Sequence, residues 1–300
     1  MNDPELFFVQ ANSEKIAVYE WGKEYRDIDE TLVLIHATGF HARCWDQVIA
    51  HLGNRHIFAI DQRGHGQSSG IDYLSWKDFC HDLTAVLNEL KVDNVIAVGH
   101  SMGGYVAASA AAEAATEKPQ LFKKLILIDP VIVDPERYKL PAPTADEKAD
   151  GIAAMGRRRN NFNSVDEMIE RFKDREPYSI FQPEALHDYC QHGLLPSSDG
   201  ESLVLACDPF FEASIYVTMS SDIGILNDVG KVDIPVTVVR AMRPEDSDTK
   251  AGFKFSPTWP ALAEHFPNAT DIHFQEYTHF LPMEVPNLVA ELILGNYIQS

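Results

Sequence analysis

Val95-Ile96-Ala97-Val98-Gly99-His100-Ser101-Met102-Gly103-Gly104-Tyr105-Val106-Ala107-Ala108 is the stretch on which the reading of this 300-residue chain turns. The apolar, β-branched run ending at Val98 has the composition of a buried strand. The alanine-rich run after Gly104 has that of a helix. Between them stands Gly-x-Ser-x-Gly, with Ser101 at the turn. A serine on a tight strand-to-helix turn needs small neighbours, because the turn presses backbone atoms against adjacent elements. Gly99, Gly103 and Gly104 meet that demand. The spacing therefore predicts a strained turn that lifts the Ser101 hydroxyl off the end of a sheet strand.

Outward from this turn the same rhythm repeats. Short apolar strands at 31–37 (TLVLIHA), 55–61 (RHIFAID), 94–100 and 123–129 (KKLILID) alternate with helices predicted near 42–52, 75–91 and 102–115. Such alternation requires right-handed crossovers and a mostly parallel central sheet covered by helices on both faces, an α/β fold. Before it, residues 6–9 and 15–21 flank Ala11-Asn12-Ser13 and predict an antiparallel hairpin at a sheet edge. The rhythm breaks after Asp129-Pro130. Residues 131–230 hold proline clusters (Pro135, Pro141, Pro143), three adjacent arginines (Arg157, Arg158, Arg159) and short helical stretches. They contain no strand run like those before them. The rhythm returns at 234–241 (IPVTVVRA), with a helix expected near 257–266, a strand at 269–276 and a closing helix at 285–298. The expected organisation is one core domain, 1–130 and 231–300, interrupted by a helical lid at 131–230.

Composition narrows the function. A formal charge of -20 and a pI near 4.9 oppose non-specific contact with nucleic acid or anionic lipid. The N-terminal residues lack a basic segment followed by a long apolar one, and no apolar run approaches bilayer length, so a cytoplasmic protein without membrane partners is expected. Cys44, Cys80, Cys190 and Cys207 are widely spaced, with no Cys-x-x-Cys pair and no histidine cluster beside them. Neither a metal site nor a redox pair is expected. No phosphate loop or dinucleotide fingerprint occurs, since Gly64-His65-Gly66 lacks the third glycine and its helix. No cofactor is expected.

The Ser101 turn in this context resembles the nucleophile elbow of the α/β-hydrolase family, and the likeness extends over nearly the whole chain outside the insertion. The resemblance implies the order serine, acid, histidine. It makes His279, in the loop Tyr277-Thr278-His279-Phe280 after the last strand, the general base for Ser101. It places the acid after the strand 235–241, where Glu245 is favoured and Asp246 follows, with Asp248 also available. Some relatives take the acid from the end of the preceding strand, which here is Asp129. The backbone N–H groups of Met102 and Thr38, the latter in His36-Ala37-Thr38-Gly39-Phe40, are the implied oxyanion donors. Phe40 and Trp45 are candidates for the pocket wall, with core packing the alternative.

Asp61-Gln62-Arg63-Gly64-His65-Gly66 also matches a family signature, and Arg63 and His65 are expected to organise that loop. In related enzymes a helical cap covers the nucleophile. Here Met155, Phe162, Met168, Phe172, Tyr178, Phe181, Tyr189, Phe210, Phe211 and Tyr216 could line it or hold it together. The resemblance implies hydrolysis of a small, uncharged or weakly polar ester by a monomer or homodimer. Serine at the nucleophile position argues against the aspartate-dependent epoxide hydrolases and dehalogenases of the same fold. Lactone, amide or carbon–carbon hydrolysis, acyl transfer and a non-catalytic ligand-binding role remain open.

Overall fold

A computed structural model describes residues 3–26, 28, 30–70, 72–244 and 252–297. Eight strands form one sheet in the order β1-β2-β4-β3-β5-β6-β10-β11. They are β1 (Glu5–Ala11), β2 (Glu14–Trp21), β3 (Leu32–Ile35), β4 (Ile57–Ile60), β5 (Val95–His100), β6 (Phe122–Ile128), β10 (Val236–Arg240) and β11 (Ala269–His273). The hairpin β1-β2 and the β2-β4 pair are antiparallel, and every other pairing is parallel. Because both faces are covered, β3 and β4 are apolar throughout: Leu32, Val33, Leu34 and Ile35 of β3 are all buried.

Helices Lys77–Leu90 and Met102–Glu117 cover one face, where Phe79, Leu83, Val106 and Ala110 join Val33, Phe58 and Leu125 in one apolar cluster. On the other face Trp45, Val48, Ile49, Leu281 and Val289 pack on Leu34, Val98 and Ile126. The helix expected near 257–266 is only the 3-10 turn Leu262–His265. Pro257 and Pro260 lack N–H groups and push the residues before them away from helical backbone. The closing helix expected at 285–298 runs over Pro286–Leu294, ended by Gly295 at φ 73°, and a separate helical turn, Leu281–Glu284, precedes it.

The stretch between β6 and β10 is mixed rather than purely helical. It contains helices Ala145–Met155, Val165–Phe172, Pro183–His192 and Pro209–Val217. It also contains a small antiparallel sheet, β7-β9-β8, made of Asn161–Phe162 (β7), Leu194–Pro196 (β8) and Leu203–Leu205 (β9). Strands of two or three residues are too short for a period of two to be read from sequence. A third apolar cluster runs from this stretch into the core. Phe162, Met168, Phe181, Leu186, Tyr189 and Leu205 join Ala37, Phe40 and Phe280, so the inserted stretch is seated on the core loops by continuous packing. Among the described residues no helix is long and apolar enough to cross a membrane.

Candidate active site

Ser101 sits between β5 and the helix Met102–Glu117 at φ 57°, ψ -117°, a conformation costly for a residue with a side chain. Its neighbours make that geometry possible. A methyl group on Gly99 would lie 2.2 Å from the Gly103 carbonyl oxygen, and one on Gly103 would lie 2.2 Å from that of Ile35. The turn is fixed on both sides, with Ser101 N–H donating to the Ile128 carbonyl (3.0 Å) and the Ser101 carbonyl accepting from Val131 N–H (3.0 Å).

His279 arrives on the loop after β11. Its own N–H donates to the Lys254 carbonyl (2.8 Å), and its carbonyl accepts from His100 Nε2–H (2.7 Å). One residue earlier, the Glu284 carboxylate accepts from both the N–H and the hydroxyl of Thr278 (2.8 and 2.6 Å). So held, the ring accepts the Ser101 hydroxyl at Nε2 (3.0 Å) and donates from Nδ1 to Asp129 Oδ2 (2.6 Å).

Asp129 closes β6 at φ 46° and is fully buried. Its other oxygen, Oδ1, accepts from Ala241 N–H (3.0 Å) and from the Ser256 hydroxyl, while the Thr258 hydroxyl divides its one proton between Oδ1 (3.1 Å) and the Pro130 carbonyl (2.7 Å). These donors meet the hydrogen-bonding demand of a carboxylate buried away from water. Of the carboxylates predicted for this place, Asp129 is therefore the one brought to His279 among the described residues. Glu245, Asp246 and Asp248 lie outside the described residues. Sequence reasoning missed Ser256 and Thr258. Two hydroxyl residues among prolines, in a stretch that cannot be a full helix, were the available signal.

Met102 and Thr38 are neighbours across the turn. The Thr38 hydroxyl lies 3.3 Å from Met102 Sδ, and the Ile35 and His36 carbonyls press on Gly103. As the first residue of its helix, Met102 has an N–H that no helical carbonyl can take. The Thr38 loop is held by neutral histidines. Gly39 N–H donates to His65 Nε2 (3.0 Å), while His65 Nδ1–H donates to the Arg63 carbonyl (2.9 Å). Gln62 N–H donates to His36 Nε2 (2.9 Å). Burial pushes the pKa of His65 down to about 4 and that of His36 well below its ordinary value, so both stay acceptors at neutral pH. Arg63 forms a two-pronged pair with Asp82 (2.6 and 2.8 Å) and so anchors the loop 61–66 that carries His65.

Phe40 packs against His100, Phe280, Phe181 and Tyr189, with ring centroids 5.1 to 6.4 Å apart. Trp45 instead lies in the core cluster on the sheet face, away from Ser101. Of the aromatic and methionine candidates in the insertion, Met155 and Phe210 are exposed. Phe162 and Met168 fill its interior, Phe211 packs on His65, and Tyr216 approaches the Thr38 carbonyl (3.5 Å). All four cysteines are buried free thiols.

Residues 32–292 match the model of the Alpha/beta hydrolase family. This chain belongs to that family. It is similar to the esterase Rv0045c of Mycobacterium tuberculosis, 25% identical over 298 residues that make up 97% of this chain and 89% of the relative. A shorter stretch of 75 residues, 25% of this chain and 22% of the relative, is 35% identical to the sn-1-specific diacylglycerol lipase ABHD11 of Danio rerio. Among solved structures, the thioesterase domain from the curacin biosynthetic pathway superposes with a TM-score of 0.75 at 19% identity, covering 98% of this chain and all (100%) of that one. The Mycobacterium tuberculosis esterase gives 0.67 at 23%, covering 99% of this chain and 92% of that one. At these identities the structural likenesses speak for the fold.

Proposed function

We propose that the protein hydrolyses carboxylic esters through an acyl-enzyme on Ser101, with His279 as general base and Asp129 as the acid that orients it. The observation that carries this is the unbroken line of contacts from the Ser101 hydroxyl through His279 to Asp129, 3.0 and 2.6 Å long. Ser101 Oγ attacks the ester carbonyl carbon while its proton passes to His279 Nε2. Negative charge gathers on the carbonyl oxygen, where the N–H groups of Thr38 and Met102 receive it. His279 then gives its proton to the departing alkoxide, and the alcohol leaves. Water repeats the attack with His279 taking its proton, and collapse releases the acid and returns the proton to Ser101.

The relatives named as esterase and lipase support the same chemistry. Residues 131–230 act in this proposal as the cap, and the core comprises 1–130 and 231–300. A cytoplasmic monomer or homodimer acting on a small molecule completes it.

The test is incubation of the protein and its Ser101→Ala variant with a fluorophosphonate and with short-chain nitrophenyl esters. Mass gain and turnover in the parent alone are expected. A parent that neither labels nor hydrolyses removes the proposal and favours a ligand-binding protein.

A further inference from the structure

His279 stands at the end of a long reach. In the sheet order β5-β6-β10-β11, the strand before it lies three places from the strand that leads to Ser101, a span of roughly 14 Å at about 4.8 Å per strand. Residues 274–278 must therefore carry the base back across β10 and β6 before its ring can meet Ser101. The loop is tied down as it goes. The Tyr277 carbonyl accepts from Met242 N–H (2.8 Å) just beyond β10, Thr278 is held by Glu284 on the next helical turn, and His279 N–H donates to the Lys254 carbonyl. None of these ties reaches β5. A fourth does, because the His279 carbonyl accepts from Nε2–H of His100, the last residue of β5 and the one before Ser101 (2.7 Å).

Three properties suit His100 to that place. A carbonyl can only accept, so the bond puts a His100 proton on Nε2. The side chain is buried, with the His279 and Phe40 rings 5.1 and 6.4 Å away, so packing helps to hold the bond in one geometry. The ring is also neutral, since burial and the neighbouring His279 push its pKa down to about 3. Neutrality matters here. His279 becomes a cation when it takes the Ser101 proton, and a second cation beside it would oppose that step.

The ring bonds of His279 cannot do the same work. At Nε2 the partner changes from Ser101 to the leaving group as the proton moves, and the contact with Asp129 changes with the charge. The bond from His100 goes to the backbone and is the same at every stage. Resting on the ester-hydrolase proposal, we infer that His100 is a positioning residue, whose Nε2–H fixes the backbone of His279 against the Ser101 turn throughout the reaction.

The experiment replaces His100 by Gln, which keeps a neutral N–H donor, and by Met and Phe, which have none. Two donor-free shapes are used so that the result does not hang on the folding of one. Phosphonate labelling rates and kcat and KM for nitrophenyl acetate are measured below the melting transition of each variant. His100→Met and His100→Phe are expected to slow labelling and kcat by roughly ten- to a hundredfold with KM within about threefold, and His100→Gln to recover most of that loss. A purely structural role would lower the melting temperature and leave kcat of the folded protein in place. Donor-free variants as fast as the parent overturn the inference, and so does a His100→Gln variant as slow as they are. Nitrogen NMR of the parent adds a check that needs no variant, since a His100 protonated on Nδ1 alone overturns it as well. Each of these results leaves ester hydrolysis standing. A parent that neither labels nor turns over the ester overturns the ester-hydrolase proposal and this inference with it.

Discussion

Two walls meet at the Thr38 loop and Phe280, and they are built differently. The core wall is made at strand ends: Ser101 follows β5, Asp129 closes β6 and His279 follows β11, each tied by its own backbone hydrogen bonds to neighbouring strands or loops. The wall from the inserted stretch consists of side chains such as Phe181, Tyr189, Arg158 and Tyr216, which reach inward from helices, turns and loops. Backbone-fixed groups suit chemistry, where misplacement of about 1 Å can cost a hundredfold. Side chains on a separate layer can change without disturbing that geometry. The core wall should therefore govern kcat and the inserted wall selectivity.

Ser101→Ala breaks the comparison hardest if it fails. The variant should lose at least about a thousandfold in kcat and all phosphonate labelling, while melting near the parent. Asp129→Asn comes next. It should lower kcat roughly a hundred- to ten-thousandfold, because the amide favours the wrong histidine tautomer. Glu245→Gln and Asp246→Asn should each stay within about threefold. The reverse result in steady-state kinetics would move the acid to the β10 loop.

A smaller effect belongs to the groups behind Asp129. Thr258→Val removes the hydroxyl shared between Oδ1 and the Pro130 carbonyl and should cost about 1 kcal/mol of stability and a few-fold in kcat. Thermal melting and kinetics on one preparation check both. A change in KM alone would instead put Thr258 on the substrate side.

The same division explains what could be read from the chain. The core was legible because buried parallel strands are continuous apolar runs and the Ser101 turn needs glycines at fixed places. His279 was legible by its position after the last strand. The sequence offers Asp129 only behind Glu245. Its standing depends on Ala241, Ser256 and Thr258 converging on one oxygen, and no local pattern announces a convergence across more than a hundred positions. The inserted wall was least legible. Arg158 was one of three neighbouring arginines, and only the turn after Met155 decides which of them points inward.

Acid offers the subtlest way to sharpen the contrast, because the core wall depends on buried neutral histidines. Burial pushes His65 to about 4 and His41 and His100 to about 3, and lowers His36 as well. The unfolded chain, with histidine pKa near 6.5, binds more protons than the folded one between that value and about 4, so stability falls as pH drops through this window. By pH 5.5 each such histidine should cost about 1 kcal/mol. Burial raises Asp46 and Asp61 to about 6, so protonating them acts in the opposite direction and offsets part of the loss. Five lowered histidines, His192 at about 4 included, outweigh Asp46, Asp61 and the likewise raised Glu212, and the melting temperature should decline from pH 7 to pH 5. His65→Gln can still accept the Gly39 N–H but cannot titrate, so its melting curve should decline less steeply over the same interval. An unchanged slope would mean that His65 is not neutral in the fold, and that the Thr38 loop is held in some other way.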